Sequence, residues 1–207
     1  MPTHPQKEDK FHGRAQEYDT VDFRQKYVEE MARSIRKHLP RECKVTIMDF
    51  GAGTGLLTER LAPYVKKIVA VDVSESMIAR LAEKASALPC SIELETIDLQ
   101  KEKYPKQVEG IVSTMTLHHI EDIPSLLKNL LDALVPGGFL ALCDIDSEDG
   151  SFHTVDSGVM HYGFDREALK NLFEEAGFVD VSVADSTVVK KPHGDYPAFI
   201  LSARRPA

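Results

Sequence analysis

The first strong pattern along the chain is a stripe of apolar side chains at four-residue spacing. Such spacing places side chains on one face of a helix. The stripe consists of Phe23, Tyr27, Met31, Ile35 and Leu39. Pro40 follows directly and favours the end of a helix. The pattern therefore predicts a helix over 23–39 with one buried face.

After this helix, apolar runs alternate with helical patterns. Strands are predicted over 44–50, 67–73, 91–99, 110–117 and 139–145. Helices are predicted over 55–64, 74–88, 123–134 and 165–178. The "VPGG" that follows the helix predicted over 123–134 is typical of a helix stop signal. Strands joined by helical crossovers run parallel, and right-handed crossovers build a doubly wound sheet.

The last two predicted strands, "VDVSVADSTVVK" and "AFILSAR", are joined only by "KPHGDYP", which favours an antiparallel hairpin at the sheet edge. The predicted fold class is therefore α/β, with a doubly wound Rossmann-like sheet and helices on both faces. The sheet is mostly parallel with a C-terminal antiparallel hairpin. We expect a single domain over 1–207, with an N-terminal cap segment and helix at 1–40 and the Rossmann-like core at 41–207.

The composition is that of a globular protein, with 207 residues of which 43% are hydrophobic. No apolar stretch is long enough to cross a bilayer, and the charged N-terminus lacks the apolar core of a secretory signal. Cys43, Cys90 and Cys143 are far apart, as is typical of reduced thiols in a cytosolic protein. We therefore expect a cytoplasmic protein without membrane insertion.

Acidic residues dominate the charge pattern, and the net charge is −8. Between Asp144 and Asp185 there are eleven acidic residues and only two basic ones, Arg166 and Lys170. Binding to a phosphate backbone needs clustered Lys and Arg side chains. The pattern argues against a nucleic-acid partner.

Three glycines stand at alternate positions directly after the first predicted strand, in "TIMDFGAGTGLL". They are Gly51, Gly53 and Gly55. A dinucleotide fingerprint needs G-x-G-x-x-G, and here the third glycine position holds Leu56 or Thr58, depending on the starting glycine. Asp49 lies two residues ahead of the loop. Its carboxylate suits a ligand with an ammonium group and repels a pyrophosphate.

Two further acids follow the next strands. Asp72 ends "IVAVD", where an acid can accept hydrogen bonds from both ribose hydroxyls. Asp98 follows the third strand, in "ETIDL", where a carboxylate can accept from the exocyclic amine of adenine. Adenine, ribose and an amino-acid ammonium without phosphate describe S-adenosylmethionine.

With these residues the chain resembles the class I, seven-stranded, Rossmann-like S-adenosylmethionine-dependent methyltransferases. Among them it is most similar to the small-molecule enzymes of the ubiquinone/menaquinone-biosynthesis type. The resemblance extends to "GIVSTMTLHHI", "LVPGGFLAL" and "YGFDREALKNLFEEAGFVDVSV". It also includes an N-terminal F-x-x-x-A-x-x-Y-D segment, "FHGRAQEYD", which in relatives folds over the cofactor.

The resemblance implies two groups of cofactor-binding residues. The methionine end is expected to lie against Tyr18, Asp49, Gly51, Ala52, Gly53, Ser113 and Thr114, the last two through backbone carbonyls. The nucleoside end is expected to lie against Asp72 at the ribose and Val73, Met77, Asp98 and Leu99 around adenine.

Each assignment has a structural alternative. The glycines can serve only a tight strand-to-helix turn, and Asp98 can be a loop acid or a helix cap. Met77 on an amphipathic helix is core as often as cofactor wall. Tyr18 can be a packing residue.

Methyl transfer from a sulfonium is an in-line displacement, so the protein mainly aligns donor and acceptor and excludes water. A general base is needed only when the acceptor must lose a proton. Of the candidates His118, His119, His153 and His161, we choose His119 first and His161 second. A structural role for each histidine is the alternative.

No metal site is expected. Catechol-type metal-dependent enzymes carry an aspartate after the fourth strand, where this chain has "STMT". Asp144 and Asp146 lack a third ligand in sequence. The predicted acceptor is therefore a small organic molecule, and the predicted product is S-adenosylhomocysteine.

Two rivals stand beside this interpretation. A catalytically inactive S-adenosylmethionine-binding partner or sensor would keep the same loop. A nicotinamide-dependent dehydrogenase is disfavoured by the glycine spacing.

Overall fold

The structure is a computed structural model, and it describes residues 22–41, 44–153 and 158–207. The helices are α1 (Asp22–Arg36), α2 (Leu56–Leu61), α3 (Glu75–Ala85), α4 (Ile123–Ala133) and α5 (Arg166–Glu175). Short 3₁₀ turns span Ala62–Tyr64 and Leu117–His119. Within these ranges no helix has both the length and the apolar character needed to cross a membrane.

Seven strands form one sheet. They are β1 (Thr46–Phe50), β2 (Lys67–Asp72), β3 (Ser91–Thr96), β4 (Val108–Thr114), β5 (Leu134–Ile145), β6 (Val179–Lys191) and β7 (Gly194–Arg204). Their order across the sheet is β3-β2-β1-β4-β5-β7-β6. The first five strands pair in parallel, and β7 pairs antiparallel with β5 and with β6. The predicted fold class and the edge hairpin are confirmed.

Strand ends differ most clearly from the prediction at two places. The "VPGG" segment belongs to β5, because Gly137 donates its N–H to the carbonyl of Arg205 (3.2 Å) and Arg205 donates back to Gly138 (2.9 Å). The hairpin between β6 and β7 is also tighter than "KPHGDYP" suggested, since Lys191 already pairs with Gly194. In both places backbone pairing with a distant or facing segment extends the strand past residues that usually mark turns.

Helices cover both faces of the sheet, as the apolar strands predicted. Ile47 and Ile68 pack into one core cluster with α1 and α2, and Met48 and Val69 pack into the other with α4 and α5. Because alternate side chains point to opposite faces, both faces of β1 and β2 are dry. The polar residues that follow these strands are therefore collected at the carboxyl edge of the sheet.

The described residues between β5 and α5 are 146–153 and 158–165, and we call them the segment after β5. This segment is fixed to the end of β5 by backbone hydrogen bonds. Phe164 donates to the carbonyl of Ile145 and accepts from Ser147, both at 3.1 Å, and Glu148 donates to Tyr162 at 2.9 Å. Between them Gly163 has a φ of +70°, and a Cβ there would lie 2.0 Å from the backbone oxygen of Asp146. This close approach holds the segment against the carboxyl edge.

The first prediction compares two glycines with nearly equal backbone conformation. Gly163→Ala should destabilise the fold more than Gly137→Ala, whose φ is +73° but whose Cβ would meet no atom within 4 Å. The left-handed conformation costs both variants about 1–2 kcal/mol, whereas the backbone overlap at 163 should add about 1–3 kcal/mol. Urea unfolding measures the difference, and equal losses would show that the segment does not depend on this contact.

Candidate functional site

The glycine loop is tied to the end of β2. Gly51 and Ala52 both donate their N–H groups to the carbonyl of Val71, at 2.8 and 3.0 Å. Gly53 donates to Oδ2 of Asp72 at 2.8 Å. The loop and the acid that were predicted to share one ligand are therefore in direct contact.

The three glycines differ in what a side chain at each position would contact. A Cβ at Gly51 would overlap the Thr116 side chain at 2.2 Å, and one at Gly55 would overlap Leu81 at 2.3 Å. A Cβ at Gly53 would meet no protein atom within 4 Å, although its φ is +54°. Gly51 and Gly55 thus serve close packing within the protein, and Gly53 faces open space.

An open cleft with about 440 Å³ of empty volume lies beside this loop. It is lined by Tyr27, Val28, Gly51, Ala52, Gly53, Thr54, Leu56, Leu57, Thr114 and Met115. Met115 has a φ of 56°, a left-handed conformation that costs a side-chain-bearing residue about 1–2 kcal/mol. Backbone strain of this kind is concentrated at ligand sites.

Asp49 lies beneath the loop and is almost completely buried, with 1% of its surface exposed. Its Oδ2 accepts the hydroxyl hydrogen of Thr58 at 2.5 Å. Burial raises the pKa of Asp49 to about 7, the Thr58 hydrogen bond works against this rise, and the charge of Asp72 adds to it. A cation bound next to Asp49 would therefore stabilise its ionised form.

Asp72 is half-buried at the end of β2, and both of its oxygens accept backbone hydrogen bonds. Oδ2 accepts from Gly53 and Oδ1 from Ser74, the latter at 2.9 Å. Ser74 in turn caps α3 by accepting from the N–H of Met77. Met77 is buried and the neighbouring Val73 is 58% exposed, so Val73 offers an apolar surface next to the acid.

The turn after β3 lies next to the end of β2, at the same carboxyl edge of the sheet. Asp98 accepts from the N–H of Gln100 at 3.1 Å and forms an ion pair with Lys101. Leu99 is buried, and its carbonyl accepts from the Asn129 side chain at 2.8 Å. The turn is therefore well fixed, and the Asp98 carboxylate already has a structural role.

The end of β4 is joined to the end of β1. Ser113 donates its hydroxyl hydrogen to the carbonyl of Phe50 at 2.6 Å. Thr114 lines the cleft, and its carbonyl accepts from the hydroxyl of Thr116 at 3.1 Å. Thr116 is the same residue that packs on Gly51, so it contacts the ends of both strands.

Three histidines come together where β4 and β5 end. His118 is buried in the 3₁₀ turn, and its Nδ1 lies 2.7 Å from Oδ1 of the fully buried Asp144. His119 and His153 are half-buried, with ring centroids 4.3 and 5.1 Å from that of His118. Burial lowers the pKa of His153 to about 3, with smaller contributions from His118, His119 and Lys191.

His161 lies apart from this cluster. Its Nε2 donates to the carbonyl of Ile120 at 2.9 Å, and its ring packs against Phe164 at 5.3 Å. The N–H groups of Met160 and His161 both donate to the carbonyl of His118, at 2.9 and 3.1 Å. The His161 side chain therefore fastens the segment after β5 to the turn after β4.

The structure brings most of the predicted residues to one edge of the sheet, and it adds several that the sequence analysis did not assign. Thr58 contacts Asp49, Tyr27 lines the cleft, and Asp144 pairs with His118. The signal for the last pair was available, because adjacent parallel strands end together and Asp144 ends β5 just as His118 follows β4. Tyr18 and the "FHGRAQEYD" segment lie outside the described residues.

Comparisons with known proteins agree with this geometry. Residues 21–183 match the family model described as a methyltransferase domain. An uncharacterised methyltransferase of Schizosaccharomyces pombe is 31% identical over 156 residues, which cover 67% of this chain and 55% of that protein. A phosphoethanolamine N-methyltransferase of Triticum aestivum is 29% identical over 147 residues, 68% of this chain and 30% of that one. The chain thus spans about half or less of these relatives.

A solved structure extends the comparison to the fold. Phosphoethanolamine N-methyltransferase 2 of Haemonchus contortus, in complex with phosphomonomethylethanolamine and S-adenosylhomocysteine, superposes with a TM-score of 0.69. The identity is 17%, and the match covers 84% of this chain and 51% of that one. Because the family match spans most of its length, the chain belongs to the family of methyltransferase domains.

Proposed function

We propose that the chain transfers a methyl group from S-adenosylmethionine to a small-molecule acceptor, releasing S-adenosylhomocysteine. The observation that carries this proposal is the glycine loop between two acids. Gly53 faces open space, with Asp49 beneath the loop and Asp72 bonded to it. Membership of the methyltransferase-domain family supports the same cofactor.

The methionine end of the cofactor is proposed to lie in the cleft beside the loop. Asp49 would attract its ammonium group, because a buried carboxylate gains most from a nearby cation. Gly51, Ala52 and Gly53 supply close backbone, and Thr114 also lines the cleft. The neighbouring Ser113 is buried and is proposed to contribute only its backbone carbonyl. The predicted contribution of Tyr18 belongs to the same end of the cofactor.

The nucleoside end is proposed to extend towards β3. Asp72 ends β2 beside the loop, and its carboxylate is proposed to accept hydrogen bonds from the ribose hydroxyls. The exposed Val73 is proposed to pack on adenine together with Met77. Asp98 and the backbone of Leu99 would bind the adenine edge, which requires the Lys101 side chain to leave room at Asp98.

The acceptor is proposed to bind between the 3₁₀ turn after β4 and the segment after β5. His119 is half-buried there and is the proposed base for an acceptor that must lose a proton. A small organic acceptor of the kind used by ubiquinone/menaquinone-type enzymes fits the sequence resemblance. His161 is the second choice, although its Nε2 is engaged by Ile120.

A second function is a protein that binds S-adenosylmethionine without methylating anything. Such a protein would keep the same loop and acids, because binding the cofactor requires them whether or not a methyl group is transferred. Incubation with labelled S-adenosylmethionine and metabolite pools separates the two. Acceptor-dependent production of S-adenosylhomocysteine supports methyl transfer, and tight binding without turnover supports the alternative.

The proposed ribose contact predicts a loss of cofactor affinity. Asp72→Ala should weaken S-adenosylhomocysteine binding by about 1–3 kcal/mol, because it removes charge-assisted hydrogen bonds. Calorimetry on the folded variant measures this. Asp195→Ala, which removes an exposed acid on the β7 hairpin strand, is the matched control and should bind normally. Unchanged affinity in the Asp72 variant would remove Asp72 from the site.

The pKa of Asp49 predicts opposite pH trends for binding and folding. Affinity for S-adenosylhomocysteine should rise by about tenfold from about pH 6 to about pH 8, as the ionised fraction of a group with a pKa of about 7 increases. The raised pKa makes the unliganded fold lose stability as the pH rises from about 4 to about 7, because the unfolded carboxyl is already ionised over that range. Asp49→Asn should flatten both trends, and a variant that kept the binding trend would contradict the assignment.

The proposed base predicts a selective loss of turnover. His119→Ala should lower the rate by about 10²–10⁴-fold for an acceptor that loses a proton, with cofactor affinity nearly unchanged. The main effect of His161→Ala should instead be a lower melting temperature, because the substitution breaks the hydrogen bond to Ile120. Turnover, affinity and melting temperature are measured on the same preparations. Near wild-type turnover of His119→Ala would remove His119 from the mechanism and leave either His161 as the base or catalysis by alignment alone.

A further inference from the structure

His118, His119 and His153 form a group with the ligand types and spacing of a metal site. One ring nitrogen from each lies within 4.8 Å of the others. In the part of the chain that the structure describes, this is the only group of three or more such ligands. Two of the histidines come from the turn after β4 and the third from the segment after β5, so the group joins two elements at the carboxyl edge.

Two of the three rings make outer contacts of the kind that metal-binding histidines usually make. Nδ1 of His118 lies against the Asp144 carboxylate at 2.7 Å, and Nδ1 of His119 lies against the carbonyl of Gly158 at 3.3 Å. An ionised carboxylate and a carbonyl can only accept hydrogen bonds, so both Nδ1 atoms carry hydrogen in these contacts. The lone pair of each neutral ring is then on Nε2. Such outer contacts fix the tautomer and strengthen the ligand in known metal sites.

The buried carboxylate beside the three histidines also favours a bound cation. Asp144 is completely buried and His118 is 1% exposed, so the carboxylate has little access to water. The three rings pack closely, with centroid distances of 4.3, 5.1 and 5.7 Å. A divalent ion held by the three rings would place positive charge beside the buried Asp144 carboxylate.

We propose that His118, His119 and His153 bind one divalent transition-metal ion of the zinc class, with water at the fourth position. Three histidines and a water form a known tetrahedral zinc arrangement. In a tetrahedral site, Zn–N bonds of about 2.0–2.1 Å place the ligand nitrogens about 3.3 Å apart. The ring nitrogens of His119 and His153 must therefore move inwards by about 1 Å to bind the ion. Mg²⁺ and Ca²⁺ prefer oxygen ligands and do not fit this set.

Bound zinc would link the turn after β4 to the segment after β5, which border the proposed acceptor site. It would also occupy the lone pair with which His119 is proposed to accept a proton. This last consequence rests on the proposed function, but binding itself does not. Titration of the chain with metal alone therefore tests the site separately from methyl transfer.

The experiment uses the full chain after treatment with a chelator. Calorimetry with Zn²⁺ should give one site per chain, and Co²⁺ should give the strong visible absorption of a tetrahedral ion. Zn²⁺ should raise the melting temperature, because a ligand that binds only the folded state stabilises it. Mg²⁺ should neither bind at a defined site nor raise the melting temperature.

Variants assign the site to these residues. His153→Gln and His119→Ala should each weaken Zn²⁺ binding by about tenfold or more, and Asp144→Asn by about 10–100-fold. His193→Ala removes an exposed histidine in the turn between β6 and β7 and should keep wild-type affinity. The melting temperature without metal checks that each variant is folded.

Three results would overturn the proposal. One is the absence of a Zn²⁺ site in the wild-type chain, and another is equal affinity in folded His153→Gln. The third is a loss of affinity in His193→Ala as large as in His153→Gln, which would indicate scattered surface binding.

Discussion

The site depends on the contact between the glycine loop and the end of β2. Two N–H groups of the loop share the carbonyl of Val71, and a third bonds to Asp72. These bonds are possible only because β1 and β2 are adjacent parallel strands that end at the same level. They place the open face of Gly53 beside the acid, and Gly53 also lines the cleft.

A second set of contacts connects the remaining strands to this loop. Ser113 bonds β4 to the end of β1, and Asp144 at the end of β5 holds His118 after β4. The carbonyl of His118 then accepts from two residues of the segment after β5. The proposed cofactor site and the proposed acceptor site are thus built on one edge of the sheet, as in-line transfer between two bound molecules requires.

The same edge concentrates buried charge. Asp49 is neutral or ionised near neutral pH according to what lies beside it, and its pKa of about 7 makes it responsive to a bound cation. Asp144 has its partner in His118 and, through it, in the histidine cluster. Buried carboxylates are costly unless they are paired, and both acids are at positions where a ligand or an ion can supply the missing charge.

The sequence by itself determined the order of helices and strands along the chain in outline, the glycine loop, and the acids near the ends of β1 and β2, because apolar periodicity and loop composition are local properties. It did not determine that "VPGG" joins β5, since the partners of that segment are Arg205 and Pro206 at the other end of the chain. Nor did it bring His153 to His118 and His119 or Thr58 to Asp49. Those neighbours are set by strand register and by the path of the segment after β5, and only the packed tertiary structure fixes distances between residues so far apart in sequence.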